Sequence, residues 1–190
     1  MIRTASSQRL RLTLRRGATS LGADAARSVR DFVFGQFNED GGFRGRSRES
    51  DVYYTVFGLE CARALELELP AATVGAFLQR RTAAAELDFV HLTCLARCLE
   101  ILGQGTRPDL ASWMARGKQQ LAAHACEGGG YHRLPGKPRG SVYDSFLGML
   151  ACEAFGEPFP GPHEMVQCLA RLQKASGGFV NDEGFGAPTT

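Results

Sequence analysis

A pair of glycines followed by an aromatic residue recurs along the chain, and this recurrence constrains the fold more than any other feature. Phe43, Tyr131 and Phe179 each come directly after two glycines. The intervals between these aromatic residues, about 88 and about 48 residues, are close to two steps and one step of the same period. A period of about 45 residues accommodates two helices and their connections, so the pattern predicts a repeat protein.

The alignment of the units extends beyond the glycines. It matches Gln36, His124 and Gln173, each of which stands six or seven residues before its aromatic residue. It also predicts a degenerate unit that begins near Gln79, 43 residues after Gln36. The segment LDFVHLTCLARCLEIL follows there much as SDVYYTVFGLECARAL follows the first glycine pair, although the glycines are missing. We therefore expect about four units, the last of them incomplete.

Two kinds of helix alternate along the chain. Four segments carry apolar residues on one face and polar residues on the other, which is typical of a helix with one solvated face: residues 24–37, 71–82, 108–123 and 163–174. Three segments are apolar on nearly every side, as a helix covered all round must be: residues 51–65, 87–102 and 141–155. The alternation predicts an all-α protein of stacked helical hairpins, with buried inner helices and amphipathic outer helices.

The repeat resembles that of a known family. The pattern Q-x-x-x-(D/S)-G-G-(F/Y) before a buried helix is similar to the α/α-toroid repeat that protein prenyltransferase β subunits share with squalene and oxidosqualene cyclases. The resemblance covers residues 24–190 and implies a partial α/α toroid. Residues 1–23 precede it as a basic tail or helix.

The motifs that the sequence lacks narrow the comparison. It has no D-x-D-D run, the acid with which the cyclases of the family protonate an alkene or epoxide, and no G-C-G-E-Q run of complement-like thioester domains. The β subunits of protein farnesyl- and geranylgeranyltransferases are the remaining comparison. If the chain is an enzyme, the resemblance implies a protein prenyltransferase of the geranylgeranyltransferase type.

The segment GGFRGRSRESDVYY resembles the diphosphate-binding segment of those β subunits. The resemblance implies that Arg46 and Arg48 hold the diphosphate of an isoprenoid. It places Asp51 at the position of a zinc-binding aspartate and Tyr54 at that of a tyrosine near the diphosphate. Tyr53 replaces the zinc-binding cysteine, and no separate histidine segment of the family is matched. The zinc expected of the family therefore has no matching ligand set, and we predict no metal and no cofactor.

A second basic loop precedes another buried helix. His132, Arg133, Lys137 and Arg139 come before Ser141, which has the residue type of an N-cap. Basic side chains at a helix start can bind an anion, because the N-terminus adds unpaired N–H donors and a partial positive charge. If the repeats curve, both basic loops lie on the same rim.

Solvated loops are the alternative interpretation of both basic segments. In that case Arg46 pairs with Glu49, and Asp51 only caps its helix. Exposed ion pairs are common on protein surfaces and stabilise little. The sequence leaves both interpretations open.

Several aromatic residues of the predicted inner helices are candidates for the lining of an apolar cavity: Tyr53, Tyr143 and Phe146. Asp144 is the unusual member of this group, since an aspartate is rarely buried without a partner. We interpret Asp144 as an acid, a ligand or a partner of Arg139. Ordinary core packing is the alternative for the aromatic residues.

His91, Cys94 and Cys98 share one face of a predicted helix. They could offer soft ligands to zinc, but a fourth ligand is not evident on that helix. Core packing with a hydrogen-bonded histidine is the preferred interpretation, because free cysteine is among the most buried residue types.

Composition and charge limit the partners. The formal net charge of +2 gives no strong basic footprint, so we predict no nucleic-acid partner. No apolar run reaches the ~20 residues that span a bilayer, so we predict no membrane span. The six cysteines have no C-x-x-C spacing and the basic N-terminus lacks a secretory pattern, which favours a cytoplasmic protein.

Two functions are open from the sequence. The first is a prenyltransferase-like protein that binds an isoprenoid diphosphate or a related apolar anionic ligand. The second is a non-catalytic interaction protein that holds a peptide or protein partner. Self-association is also expected, because an incomplete repeat array leaves apolar surface at its ends.

Overall fold

Eight α-helices and one two-stranded sheet make up the described part of the chain. In this computed structural model, the residues described are 6–83, 87–103 and 110–183. In chain order the elements are α1 (Ser6–Thr19), α2 (Ala23–Gln36), β1 (Phe43–Arg44), β2 (Ser50–Asp51), α3 (Val52–Ala64), α4 (Ala71–Thr82), α5 (Phe89–Ile101), α6 (Ala111–Ala122), α7 (Val142–Phe155) and α8 (Pro162–Leu172). The strands β1 and β2 pair antiparallel.

The prediction of an all-α protein is confirmed, and the predicted helices agree with the observed ones. α2 to α8 each begin and end within three residues of the predicted bounds. Residues 108 and 109, with which one predicted helix begins, lie outside the described residues. No helix within the described ranges combines the length and the apolarity that crossing a bilayer requires.

The helices form two layers. α3, α5 and α7, which we call the inner helices, lie side by side with α5 in the middle. The outer helices cover them: α2 packs on α3, α4 on α5, α6 on α5 and α7, and α8 on α7. α5 buries Phe89 and every residue from Leu92 to Leu99, because it has helices of both layers as neighbours. This burial explains why its sequence is apolar all round.

The three glycine-aromatic turns have the same backbone geometry. Each closes with an antiparallel bridge: Phe37 with Phe43, Ala125 with Tyr131, and Gln173 with Phe179. The first glycine of each pair has a positive φ, of 92° at Gly41, 92° at Gly129 and 86° at Gly177. Glycine adopts this conformation without the steric cost of a Cβ atom. The bridges also show that Leu172, not Gln173, is the equivalent of His124, so the alignment of the last turn is wrong by one residue.

The aromatic residue of each of the first two glycine turns packs against a glycine of the inner helix that follows. The ring of Phe43 fills the space in which a Cβ of Gly58 would stand, and the Phe43 N–H donates to Oγ1 of Thr55 at 2.9 Å. The equivalent contacts around α7 join Tyr131 to Gly148 and to Oγ of Ser145, the latter at 3.0 Å. Both rings are only 2% exposed. They therefore hold the outer and inner layers together.

Glu66 follows α3 in a conformation that suits glycine. Its φ is 55°, in the same left-handed region as Gly103 after α5 (64°) and Gly156 after α7 (69°). A side chain in this region costs about 1 kcal/mol, and the exposed Arg15–Glu66 ion pair offsets little of that cost. We expect Glu66→Gly to raise the free energy of unfolding by about 1 kcal/mol, measured by urea denaturation.

The matched control for this prediction is Gly156→Ala. Nothing stands within 4 Å of the added Cβ at Gly156, so the substitution changes only the conformational preference of the backbone. We expect it to lower the free energy of unfolding by about 1 kcal/mol. A Glu66→Gly protein that is less stable than wild type would contradict the first expectation.

Candidate ligand-binding groove

One side of each inner helix carries equivalent positions, counted from the N-caps Asp51, Asp88 and Ser141. These positions are Tyr54, Phe57 and Cys61 in α3, His91, Cys94 and Cys98 in α5, and Asp144, Leu147 and Ala151 in α7. The second and third positions are at most 2% exposed in α5 and α7, whereas Phe57 is 47% exposed. Within the described part of the chain, α3 therefore lacks the neighbour that covers this side of the other inner helices.

The uncovered side of α3 forms one wall of an open groove of about 560 Å³, a volume within the range of ligand pockets. α2 forms the opposite wall, and the chain from Phe43 to Arg46 closes one end. The residues that line the groove are Phe32, Val33, Gln36, Phe43, Arg44, Gly45, Arg46, Tyr54, Phe57, Gly58 and Cys61. Phe32 is 67% exposed. Two large apolar rings therefore face solvent from opposite walls.

The charged end of the groove is made by two arginines with different surroundings. Arg44 donates from Nη2 to the carbonyl oxygen of Gly35 at 2.8 Å, which ties it to the end of α2. Arg46 is exposed, and its guanidinium has no hydrogen-bond or ion-pair partner among the described residues. The ring of Tyr54 occupies the space in which a Cβ of Gly45 would stand. This close contact places the Tyr54 ring against the residue that precedes Arg46.

The four residues predicted to hold a diphosphate are divided between two places. Arg46 and Tyr54 both line the groove. Arg48 is not among the lining residues, and its carbonyl oxygen accepts a hydrogen bond from Nδ2 of Asn38 at 3.0 Å. Asp51 caps α3 by accepting the N–H of Tyr53 at 2.7 Å. The ion pair of Arg46 with Glu49 that the alternative interpretation expects is absent among the described residues.

A second polar cluster joins the starts of α3 and α5. The imidazole of His91 lies between two capping carboxylates, with Nε2 at 3.2 Å from Oδ2 of Asp51 and Nδ1 at 2.6 Å from Oδ2 of Asp88. Burial by itself lowers the pKa of His91, but the hydrogen bonds with the two carboxylates outweigh burial and raise it. Burial likewise opposes the effect of His91 on Asp88, whose pKa is nevertheless lowered. At neutral pH this arrangement favours a charged histidine between two carboxylates.

The two cysteines that share the face of His91 are core residues. Burial raises the pKa of Cys94 to about 11 and that of Cys98 well above its ordinary value. A thiol that stays protonated is a poor zinc ligand. Among the described residues, no group of histidines, cysteines and carboxylates is arranged to hold a metal ion. Cys94 and Cys98 are thus buried in the core, while His91 is hydrogen-bonded to carboxylates at its edge.

The second basic loop is largely neutralised by carboxylates. Asp144 is 1% exposed and accepts the backbone N–H of Arg133 at 2.9 Å and its Nη2 at 2.9 Å. Burial alone would raise the pKa of Asp144, but the bonds from Arg133 lower it. The partner of Asp144 is therefore Arg133, whereas Arg139 pairs with Glu183. Lys137 is exposed in the same loop.

The predicted cavity-lining residues Tyr53, Tyr143, Asp144 and Phe146 lie in the N-terminal halves of α3 and α7. Tyr53 stacks edge-on against Phe57 at 5.1 Å between ring centroids, and its hydroxyl lies beside that of Tyr143. Burial, and then the hydrogen bond with Tyr53, raise the pKa of Tyr143. The guanidinium of Arg133 lies 5.9 Å from the centroid of the Tyr143 ring. Phe146, three residues after Tyr143 in α7, is 43% exposed.

Phe32 and Phe57 are the groove residues that sequence reasoning misses. Both belong to segments whose periodicity predicts buried apolar positions. Periodicity shows that a residue suits a covered site, but it does not show whether the covering neighbour is present. The position of α3 as the first inner helix of the array is the signal that could have identified them.

Comparisons with known proteins identify no relative of this chain. No family model, no curated protein and no solved structure matches the chain.

The cluster at His91 generates a prediction about pH. Asp51→Asn keeps a capping side chain at α3 but removes one of the two carboxylates, so we expect the pKa of His91 to fall. A histidine whose pKa is raised by folding contributes its full stabilisation at pH values below the unfolded-state pKa of ~6.5. This contribution to the free energy of unfolding is lost as the pH rises through the folded-state pKa. The stability difference between wild type and Asp51→Asn should therefore be largest in mildly acidic buffer and shrink in alkaline buffer.

An NMR titration of the His91 imidazole, combined with urea denaturation at several pH values, measures both effects. The control is Asp24→Asn, which removes an exposed carboxylate that pairs with Arg27 on α2. It should leave the pKa of His91 unchanged. An unchanged pKa in Asp51→Asn would show that Asp51 has no influence on the histidine.

Proposed function

We propose that this chain is a binding protein whose α2–α3 groove holds an apolar ligand with an anionic head. The observation that carries the proposal is the meeting of the unpartnered Arg46 with the exposed rings of Phe32 and Phe57 in one groove. An isoprenoid diphosphate is the ligand that the family resemblance implies. The alternation of inner and outer helices supports our interpretation of the array as part of an α/α toroid.

The physical basis of the proposal is the pairing of two different forces. Covering the exposed apolar rings gains about 25 cal/mol per Å² of apolar area removed from water. A guanidinium can donate two parallel hydrogen bonds to a phosphate group, and Arg46 has none of its donors committed to described residues. Tyr54 adds a hydroxyl donor at the same end of the groove. A ligand must therefore be apolar along its length and anionic at one end.

We propose binding without covalent chemistry. Cys61 lines the groove, and burial, followed by the charge of Glu60, raises the pKa of its thiol. A protonated thiol is a weak nucleophile, so Cys61 serves the groove as apolar surface. Asp51, which the resemblance places at a zinc-binding position, is engaged instead with the start of α3 and with His91.

Titration with geranylgeranyl diphosphate tests the proposal. We expect Arg46→Ala to weaken binding about tenfold or more, because a hydrogen bond to a charged group contributes ~1.5–3 kcal/mol. Arg48→Ala is the matched control, since Arg48 lies two residues away with the same charge but outside the groove; we expect less than a twofold change. Isothermal titration calorimetry gives both constants.

Two further ligands measure the contributions of the anionic head and of the apolar tail separately. Inorganic pyrophosphate should bind weakly and depend on Arg46, while geranylgeraniol should bind weakly and depend on Phe57. The proposal fails if geranylgeranyl diphosphate does not bind, or if Arg46→Ala and Arg48→Ala bind it equally well.

A second candidate function is the binding of a partner helix along the same side of α3. The equivalence of Phe57 and Cys61 with buried positions of α5 and α7 favours it, because those positions are covered by helical neighbours. A second copy of the chain could supply such a helix through its exposed apolar surface.

Sedimentation velocity over a concentration series distinguishes this candidate. We expect Phe57→Glu to associate less strongly than wild type, because a carboxylate in the contact would be desolvated. Arg46→Ala should associate like wild type, since a helix contact depends on the apolar stripe. Equal association of wild type and Phe57→Glu would remove the groove from the interface.

A further inference from the structure

The helix α1 differs in character from the rest of the molecule. It contains four arginines and no acidic residue, and none of its residues is fully buried. The inner helices, in contrast, each bury at least six residues. α1 therefore docks through polar contacts and half-buried side chains, whereas the body beneath it has a fully buried apolar core.

The surface that receives α1 presents one glutamate from each inner helix: Glu60 of α3, Glu100 of α5 and Glu153 of α7. We call these three residues the acidic surface. The first backbone N–H groups of α1, at Ser6 and Ser7, each donate to Glu153 at 2.7 Å. Unpaired N–H groups at a helix start favour an anion, so the α1 N-terminus and Glu153 are complementary.

Arg11 makes the central contact between α1 and the acidic surface. Its two terminal nitrogens donate to the two carboxylate oxygens of Glu100, with Nη1 at 2.9 Å from Oε1. Its Nε lies 3.6 Å from Oε2 of Glu60. The Arg11 side chain is 17% exposed, which makes this the least solvated ion pair between α1 and the body. One arginine thus joins two inner helices at once.

The most buried carboxylate of the acidic surface keeps a partner when α1 leaves. Glu60 is the most buried carboxylate of the acidic surface, and it has a second partner in Arg97 of α5 at 3.3 Å. Both of these side chains are 6% exposed, so the pair stays within the body. Glu100 has a side chain that is 33% exposed even with α1 in place. Release of α1 therefore leaves no buried carboxylate of this surface without a partner or access to water.

The connection between α1 and α2 is short. α1 ends at Thr19 and α2 begins at Ala23, so three residues, Ser20 to Gly22, join them. Short connections that let an element pack on its own chain or on a neighbour favour domain swapping, because the swapped contacts are identical to the original ones.

We propose that α1 is an exchangeable arm, and that the acidic surface of one chain accepts α1 from a second copy. The contacts specify what the acidic surface binds. It binds a helix whose first N–H groups donate to Glu153 and whose arginine pairs with Glu100 and Glu60. A second copy supplies both with the same spacing. Reciprocal exchange gives a two-fold symmetric dimer in which each arm covers the acidic surface of the other chain.

Two charge-reversed full-length chains test the exchange. In Arg11→Glu the arm carries a carboxylate that its own Glu100 repels, and in Glu100→Arg the surface repels its own Arg11. When the two chains are mixed, each arm finds a complementary surface only on the other chain. We expect each variant alone to associate less than the equimolar mixture and to have α1 amides that exchange hydrogen at least tenfold faster than in wild type. The equimolar mixture should form a heterodimer with protected α1 amides.

The matched controls keep the same charge changes but remove the need for exchange. Arg11→Glu combined with Glu100→Arg in one chain restores docking within that chain and should behave like wild type. Arg9→Glu alters a neighbouring exposed arginine of the same helix and should give no heterodimer with Glu100→Arg. Sedimentation velocity measures assembly, and hydrogen exchange measures arm docking.

Several outcomes would overturn the proposal. A mixture that stays monomeric, unchanged α1 protection in Arg11→Glu, or a dimer that also forms with Arg9→Glu would each do so. A second measurement needs no charge reversal: wild-type chains with an N-terminal donor dye are mixed with chains that carry a C-terminal acceptor dye. Energy transfer that grows with concentration supports exchange, and no transfer at millimolar concentration contradicts it. Because Phe57 lies outside the acidic surface, Phe57→Glu should leave this transfer intact even if it abolishes association at the groove.

Discussion

Packing of a turn aromatic against an inner-helix glycine is the contact on which the two-layer structure depends. Phe43 on Gly58 and Tyr131 on Gly148 bring a ring into the space that a Cβ would occupy. In the first unit the backbone N–H of the same aromatic is satisfied by Thr55, one turn before the glycine. The ring contact and the hydrogen bond together fix the position of the turn along the axis of the inner helix. This position sets the register between the outer and inner layers, and it also sets which side of α3 faces solvent.

Much of this fold could be predicted from the sequence, because its determinants are local. The spacing of apolar residues distinguishes covered helices from half-solvated ones, and the glycine pairs mark the turns between them. The alignment fails by one residue at Gln173, because it matches the glutamine of Gln36, whereas the bridges make Gln173 the equivalent of Phe37 and Ala125. The docking of α1 could not be predicted. It depends on Glu100 and Glu153, which lie about 90 and about 145 residues away along the chain.

The candidate site was predictable only where neighbouring positions in the sequence stay neighbours in space. Arg46 and Tyr54 line the same groove because a short hairpin returns the chain to the start of α3. The same hairpin places Asp51 beside α5, where Oδ2 of Asp51 lies 3.2 Å from Nε2 of His91. The spacing of these two residues in the sequence does not predict this contact. The choice of Arg133 over Arg139 as the partner of Asp144 likewise depends on the path of a loop. Ion pairs between separate elements are thus the part that periodicity does not determine.

The acidic surface and the groove side of α3, to which we assign partners, differ in the kind of contact that they offer. Beneath α1, the buried carboxylate Glu60 is paired with Arg97 of the body as well as with Arg11, so it keeps a partner in the exchange that we propose. Along α3, Phe57 stands exposed at a position that is covered in both other inner helices, so this surface gains apolar burial from any suitable occupant. Contacts of the first kind weaken as salt is added, whereas contacts of the second kind do not. We therefore expect the two proposed associations to respond differently to salt.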